Sequence, residues 1–204
     1  MKTDALRLTD KARETRRRMI ECAETIILED GIETLSMDRV AARAGMSKGA
    51  VMYHFPTKRA LLAALVESYA EHLDARLREA EALLSGAPAE KFIPAYVRWF
   101  RDFDADNHGW ADIGLSLLVL KVRDPELLEP VRRWYAKTYA RVLALPEERR
   151  TMTLVALMAL EGFFYTHKFG LDLMPAEEKA AALGLITELA QQGRRGEPAE
   201  ASGR

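Results

Sequence analysis

Apolar residues recur along this chain at intervals of three and four, with charged positions between them, and nowhere alternate convincingly one by one. The spacing predicts an all-α fold. The first is expected from near Thr9 or Asp10 to about Asp30, with Ile20, Ala23, Ile27 and Leu28 inward and Gly31 as its stop. Two short patterns then meet at one glycine in SMDRVAARAGMSKGAVMYHFPTK, residues 36–58. Ser36 is placed to cap a helix that turns Met37, Val40, Ala41 and Ala44 inward, and Gly45 ends it in a left-handed conformation. Met46 plugs the corner. Ser47 caps a second helix with Val51 and Phe55 on its core side, Pro56 closes it, and Thr57 caps a longer helix over about residues 58–84.

Downstream, an aromatic pattern (Phe92, Tyr96, Trp99, Phe100, Phe103) leads to the polar loop DADNHG, residues 104–109, and a helix is expected over about 110–122. Pro130 should part a short helix from a longer one reaching about Leu145, because it removes a backbone donor. Pro146 opens a helix that ends by Gly170, and the last helix lies between Pro175 and Gly193. Residues 194–204 lack apolar periodicity and are expected to form a flexible tail. The expected domains are 1–60 and 61–193.

The corner at Gly45 points to DNA. Its second helix turns Lys48, Gly49, Ala50, Tyr53 and His54 outward, and the small pair Gly49 and Ala50 permits close approach to a major groove. Two short helices around a glycine also occur as a plain corner in many all-α domains, so the longer context matters. Over about residues 11–65, through ECAETIILEDGIETLSMDRVAARAGMSKGAVMYHFPTKRALLAAL, the chain resembles the DNA-binding domain of the tetracycline-repressor (TetR) family. The resemblance implies an all-α homodimer of about nine helices per subunit, a transcriptional regulator, commonly a repressor, that binds a double-stranded DNA operator. It implies a variable C-terminal domain that dimerises and takes a small-molecule effector. A transcriptional activator or a global regulator without an effector is the alternative. Carried over by position, Ser36, Tyr53, His54 and Lys58 hold phosphates, while Ser47, Lys48, Gly49 and Ala50 face base edges, Lys48 being the reader of guanine. Met52 stands where the family often has tyrosine, and is expected to pack.

Charge agrees with this polarity. The chain carries −1 overall, but residues 1–60 hold 12 Lys/Arg against 9 Asp/Glu, and the remainder 18 against 22. Arg16, Arg17 and Arg18 add weak backbone attraction near the start. No apolar run crosses a bilayer and the charged N-terminus lacks a signal core, so a cytoplasmic chain without membrane contact is expected. Cys22, the single cysteine, sits among apolar neighbours and is assigned to packing.

For the effector, Trp99, Phe103, Trp110, Leu117 and Met158 are candidate walls and Tyr96 and His167 candidate polar contacts, each with plain core packing as the competing role. The last two long helices, with Ala156, Ala159, Gly162, Leu185 and Leu189, are expected to form the dimer contact. Scattered histidines and the lack of any catalytic motif argue against an enzyme, and no cofactor is expected. The loop with Asp104, Asp106 and His108 reads as an exposed acidic turn rather than a metal site. A helical adaptor that binds only protein is a third possibility, opposed by the outward Lys48, Tyr53, His54 and Lys58.

Overall fold

The first helix, α1 (Lys2–Asp30), ends where Gly31 takes φ 84°. The computed structural model describes residues 2–105 and 109–192, and the side chains of 10–105 and 109–191; Asp106, His108, Gly193 and the tail 194–204 lie outside the described residues. Helix α1 begins well before the expected Thr9 or Asp10, since nothing in KTDALRLT breaks a helix and the threonine is not needed as a cap. A single 3-10 turn at Ile32–Thr34 follows; three residues are too few to show a period in sequence.

Next come α2 (Met37–Ala44), α3 (Lys48–His54), α4 (Lys58–Ala82) and α5 (Pro88–Asp104). The expected helix over 110–122 is interrupted at Val119 into α6 (Trp110–Leu118) and α7 (Leu120–Arg123). A 3-10 turn at Pro125–Leu128 precedes α8 (Glu129–Leu143), so the break falls just before Pro130, where the missing N–H costs nothing. Helices α9 (Glu147–Lys168) and α10 (Ala176–Gln192) complete the described residues, among which there is no strand. The ten α-helices among the described residues become nine if α6 and α7 are counted as one.

The chain forms two compact units, residues 1–72 with 109–132 and residues 73–108 with 133–204. The first therefore takes in α6 and α7, which chain order alone assigns to a C-terminal domain. Helices α4 and α8 each supply residues to both units.

In the first unit, Met19, Ala23, Ile26 and Ile27 of α1 are buried together with Leu35, Val40, Ala41, Ala44, Val51, Phe55, Leu61 and Leu65. Leu28 departs from the expected inward face and is 40% exposed; its side chain lies against Gly109, where an added Cβ would come within 2.6 Å of it. Helix α6 approaches α4 through Gly114, because a Cβ there would overlap the Tyr69 hydroxyl oxygen. In the second unit, α5 and α9 bury Tyr96, Phe100, Leu157 and Leu160 almost completely, and α10 adds Leu183, Ile186 and Ala190. None of the described helices is long and apolar enough to cross a membrane.

Replacing Gly114 with alanine should lower unfolding free energy by about 1–3 kcal/mol, since a methyl forced against the Tyr69 ring end overpacks the α4–α6 contact. Urea denaturation checks it; an unchanged midpoint would show that α6 can move away at no cost.

Candidate nucleic-acid interface and aromatic site

Three hydroxyls and one glycine build the outward surface of the first unit. Ser36 accepts from the Arg39 amide at 3.3 Å, Ser47 from the Ala50 amide at 3.1 Å and Thr57 from the Ala60 amide at 3.1 Å. Gly45 adopts φ 66° and ψ 35°, a left-handed conformation that lets its own N–H reach Ala41 and Ala42 carbonyls and turns the chain toward α3. Met46 at this corner is half-buried.

Helix α3 is only seven residues long, and one side of it is anchored: Val51 and Phe55 are essentially inaccessible, and the Arg16 guanidinium of α1 lies 5.1 Å from the Phe55 ring centre. The other side is bare. Lys48 and Gly49 are exposed, Ala50 is half-buried and Tyr53 is 83% exposed. A Cβ on Gly49 would meet nothing closer than the Ser47 hydroxyl at 3.9 Å. His54 is half-buried and packs edge-on to Tyr53 at 5.3 Å, and Lys58 is exposed on the first turn of α4. All eight candidate DNA-contact residues thus lie within α2–α4 and their capping positions. Met52 is 45% exposed instead of packed, since the core-facing positions of so short a helix are taken by Val51 and Phe55.

Ion pairs fix this corner. Arg39 pairs with Asp30, Arg43 with Glu29 at 2.5 Å, and Lys48 with Asp38 of α2 at 2.9 Å. Arg17 is paired with Glu14 and Glu21 on α1 itself, which uses part of the Arg16–Arg18 charge within the protein. Cys22 is half-buried and free. Glu24 nearby is pushed above the usual carboxylate range by burial, with the neighbouring Glu21 charge adding and a hydrogen bond from Ser68 opposing.

The candidate effector residues divide between the units. Trp110 stacks on His72 of α4 at 3.6 Å and 9°, and Leu117 is buried in the same first unit. In the second unit Tyr96, Trp99, Phe103 and His167 come together around Phe164, with ring centres 4.7–5.9 Å apart along this chain of contacts. Met158 faces away at 47% exposure and accepts a long contact from the Tyr139 hydroxyl at 3.8 Å.

At the centre of the aromatic group sits a residue that sequence reading missed, Glu161, 8% exposed. Its carboxylate accepts from the Tyr96 hydroxyl at 2.5 Å and from the Tyr135 hydroxyl at 2.8 Å. A glutamate on the inward face of an apolar helix was the available signal. Burial, then the Glu161 charge, drives both tyrosine hydroxyls far above their ordinary range.

Asp104, His167 and Asp172 also converge, with donor atoms within 4.8 Å of one another. The Lys179 ammonium occupies that acidic space, 2.9 Å from Asp104 and paired with Asp172, and offsets part of the charge of the two carboxylates. The Lys179 partners outweigh the effect of burial and raise its affinity for the proton, and its hydrogen bond holds Asp172 below the usual carboxylate range.

A capped short helix with one anchored and one bare side, carried on an all-α core, defines a helix-turn-helix DNA-binding protein. Residues 20–65 match the profile of the bacterial regulatory proteins, tetR family, and residues 90–191 that of the tetracyclin repressor-like, C-terminal domain. The chain belongs to the TetR family of transcriptional regulators, which are not enzymes. It is 33% identical over 124 residues to the HTH-type transcriptional regulator CymR of Pseudomonas putida, covering 61% of this chain and 59% of that relative. It is 34% identical over 76 residues to the HTH-type transcriptional regulator TtgR, also of Pseudomonas putida, covering 37% and 36%. The matches therefore span less than two thirds of these relatives' lengths. A TetR-family member from Streptomyces coelicolor shares the fold at TM-score 0.65 and 23% identity, over 86% of this chain and 98% of that one. The multidrug binding protein EbrR, in complex with imidazole, shares it at TM-score 0.61 and 24% identity, over 92% and 97%.

Gly49→Leu separates folding from recognition. Removing a helical glycine should stabilise the protein by about 0.5–1 kcal/mol, while the new side chain on the bare side of α3 should abolish tight DNA binding. Melting and mobility-shift measurements on one preparation check both; retained DNA affinity would place the groove contact elsewhere.

The tyrosine pair sets a limit at high pH. The folded state holds these phenolic protons more tightly than the unfolded chain does, so their contribution is complete below the ordinary tyrosine pKa of about 10 and is lost as pH rises above it. Thermal stability should fall above about pH 10, and Tyr135→Phe should flatten that fall. A stability profile that is flat to strong alkali in the native protein would show that the Glu161 cluster does not resist ionisation.

Proposed function

We propose that this regulator binds a pseudo-palindromic operator as a homodimer, represses transcription in the cytoplasm, and is released by a small apolar or aromatic effector. The observation that carries the DNA reading is the bare side of α3 between two capped helix starts. Lys48 exchanges its Asp38 partner for a guanine edge, Ser47, Gly49 and Ala50 meet neighbouring bases, and Ser36, Tyr53, His54 and Lys58 hold phosphates.

Support for the dimer comes from α9 and α10. Val155, Met158, Tyr165 and Phe169 recur at helical spacing along α9 and its C-terminal end and are 40–51% exposed, and Leu185 on α10 is 53% exposed. Ala159 and Gly162 lie exposed on the same stretch of α9 and permit close helix approach. A second copy of the same two helices covers such a stripe with twofold symmetry. Two α3 helices then address successive major grooves about one helical turn or more apart.

Support for the effector is the aromatic group around Glu161, a set of rings with one buried acceptor between helices of the second unit. Helix α4 supplies residues to both units, so a ligand that favours one arrangement of α4 alters the spacing of the two α3 helices in the dimer. Reversing a 99:1 preference takes a differential affinity of about 5.5 kcal/mol between the two states.

Selection from a random DNA pool should return a sequence with twofold symmetry. Its binding should fall with salt at a log–log slope of roughly −5 to −8 for a dimer making a handful of phosphate contacts per subunit. Lys58→Ala should weaken all sequences alike, and Lys48→Ala should also relax base preference. A pool that stays random, or a flat salt response, would overturn this reading.

A further inference from the structure

A cavity lies in the first unit. It has a volume of about 290 Å³ and runs between the 3-10 turn before α2, the first turns of α4, and the α7 corner. Its floor is apolar, made by Ile32, Leu62, Leu120 and Leu127, three of which are otherwise buried core residues. Val119, 40% exposed at the break between α6 and α7, stands in its wall.

Three cations (Lys58, Arg59, Arg123) and three carboxylates (Glu33, Asp124, Glu126) surround this cavity, but they do not pair one to one. Arg59 is held by Asp124 at 2.7 Å and Glu126 at 3.1 Å, and Arg123 by Glu33 at 2.7 Å. Those contacts raise the proton affinity of Arg59 and hold Asp124 below the ordinary carboxylate range, through the hydrogen bond between them. Lys58, also in the lining, has no ion-pair partner among the described residues. It stands on the first turn of a 25-residue helix, where the backbone dipole adds partial positive charge. One ammonium without a counter-ion above a greasy floor is the recognition pattern for an amphipathic anion, and the volume is at the low end of the roughly 300–1,000 Å³ of small-molecule pockets.

We propose that this cavity binds a small monocarboxylate with an apolar body, its carboxylate on Lys58 and its chain over Leu62 and Leu120. The site is distinct from the aromatic effector region, and binding to it does not depend on that reading. One consequence does rest on the DNA reading: a carboxylate on Lys58 takes a cation from the phosphate-holding set, so ligand and operator compete for it.

The test uses the full-length protein with methyl-labelled Ile, Leu and Val, titrated with sodium octanoate, octan-1-ol and octylammonium in the millimolar range. Octanoate should shift the methyl signals of Ile32, Leu62, Leu120 and Leu127, with the alcohol weaker and the amine inactive. Lys58→Gln should lower octanoate affinity at least tenfold, and Val119→Trp should block the cavity from its exposed wall. Trp99→Ala, in the other unit, should leave these shifts unchanged. In operator binding, saturating octanoate should lessen the salt slope by about 2 per dimer, one phosphate contact per subunit. The proposal is overturned if octanoate moves none of these methyls, if octylammonium binds as well as octanoate, or if neither Lys58→Gln nor Val119→Trp alters binding. Shifts confined to the Trp99 region overturn it too, while leaving the aromatic effector site standing.

Discussion

Burial of Val51 and Phe55 against α1 and α2 is the contact on which the reading head depends. A seven-residue helix is far below the length at which a helix holds itself together in water, so α3 exists because two of its side chains are locked into a neighbouring core. That leaves little freedom in what the rest of α3 contains. Among its remaining positions Lys48, Gly49, Met52 and Tyr53 are exposed, and Ala50 and His54 are half-buried. The caps at Ser36, Ser47 and Thr57 do the complementary work: each satisfies a backbone amide at a helix start.

The ion pairs around this corner play a smaller part in stability than their number suggests. Arg39, Arg43 and Lys48 sit on partly exposed bridges, and such pairs contribute only about 0–1 kcal/mol each. Asp38 of α2 holds the Lys48 ammonium of α3 at 2.9 Å.

The second unit answers a different demand. Glu161 is a buried carboxylate kept in place by two tyrosine hydroxyls, inside a set of rings that shields it from solvent. Such an acceptor is tolerated because both of its oxygens accept a hydroxyl, and removing either tyrosine would leave one oxygen without that donor. At the other end of α9, the Asp104, Asp172 and Lys179 group ties α5 to α10 through opposite charges held close.

Local signals were enough for the helix-turn-helix. Gly45, the capping hydroxyls and the spacing of Val40, Ala41, Ala44, Val51 and Phe55 are short-range features, and they placed α2 and α3 to within a residue or two. Period and punctuation by Pro146 and Pro175 likewise set most of the later helices. Where partners are distant in sequence, the chain alone was silent. That Leu28 turns out against Gly109, that Trp110 stacks on His72 away from the Phe164 rings, and that Glu161 meets both Tyr96 and Tyr135 are pairings across tens of residues. Sequence determined the helices and the side of α3 that faces outward, because those follow from neighbours three and four residues away. Only tertiary packing decided which aromatics share a core, that Lys58 has no ion-pair partner among the described residues, and that α6 and α7 join the first unit, because those depend on which helices lie side by side.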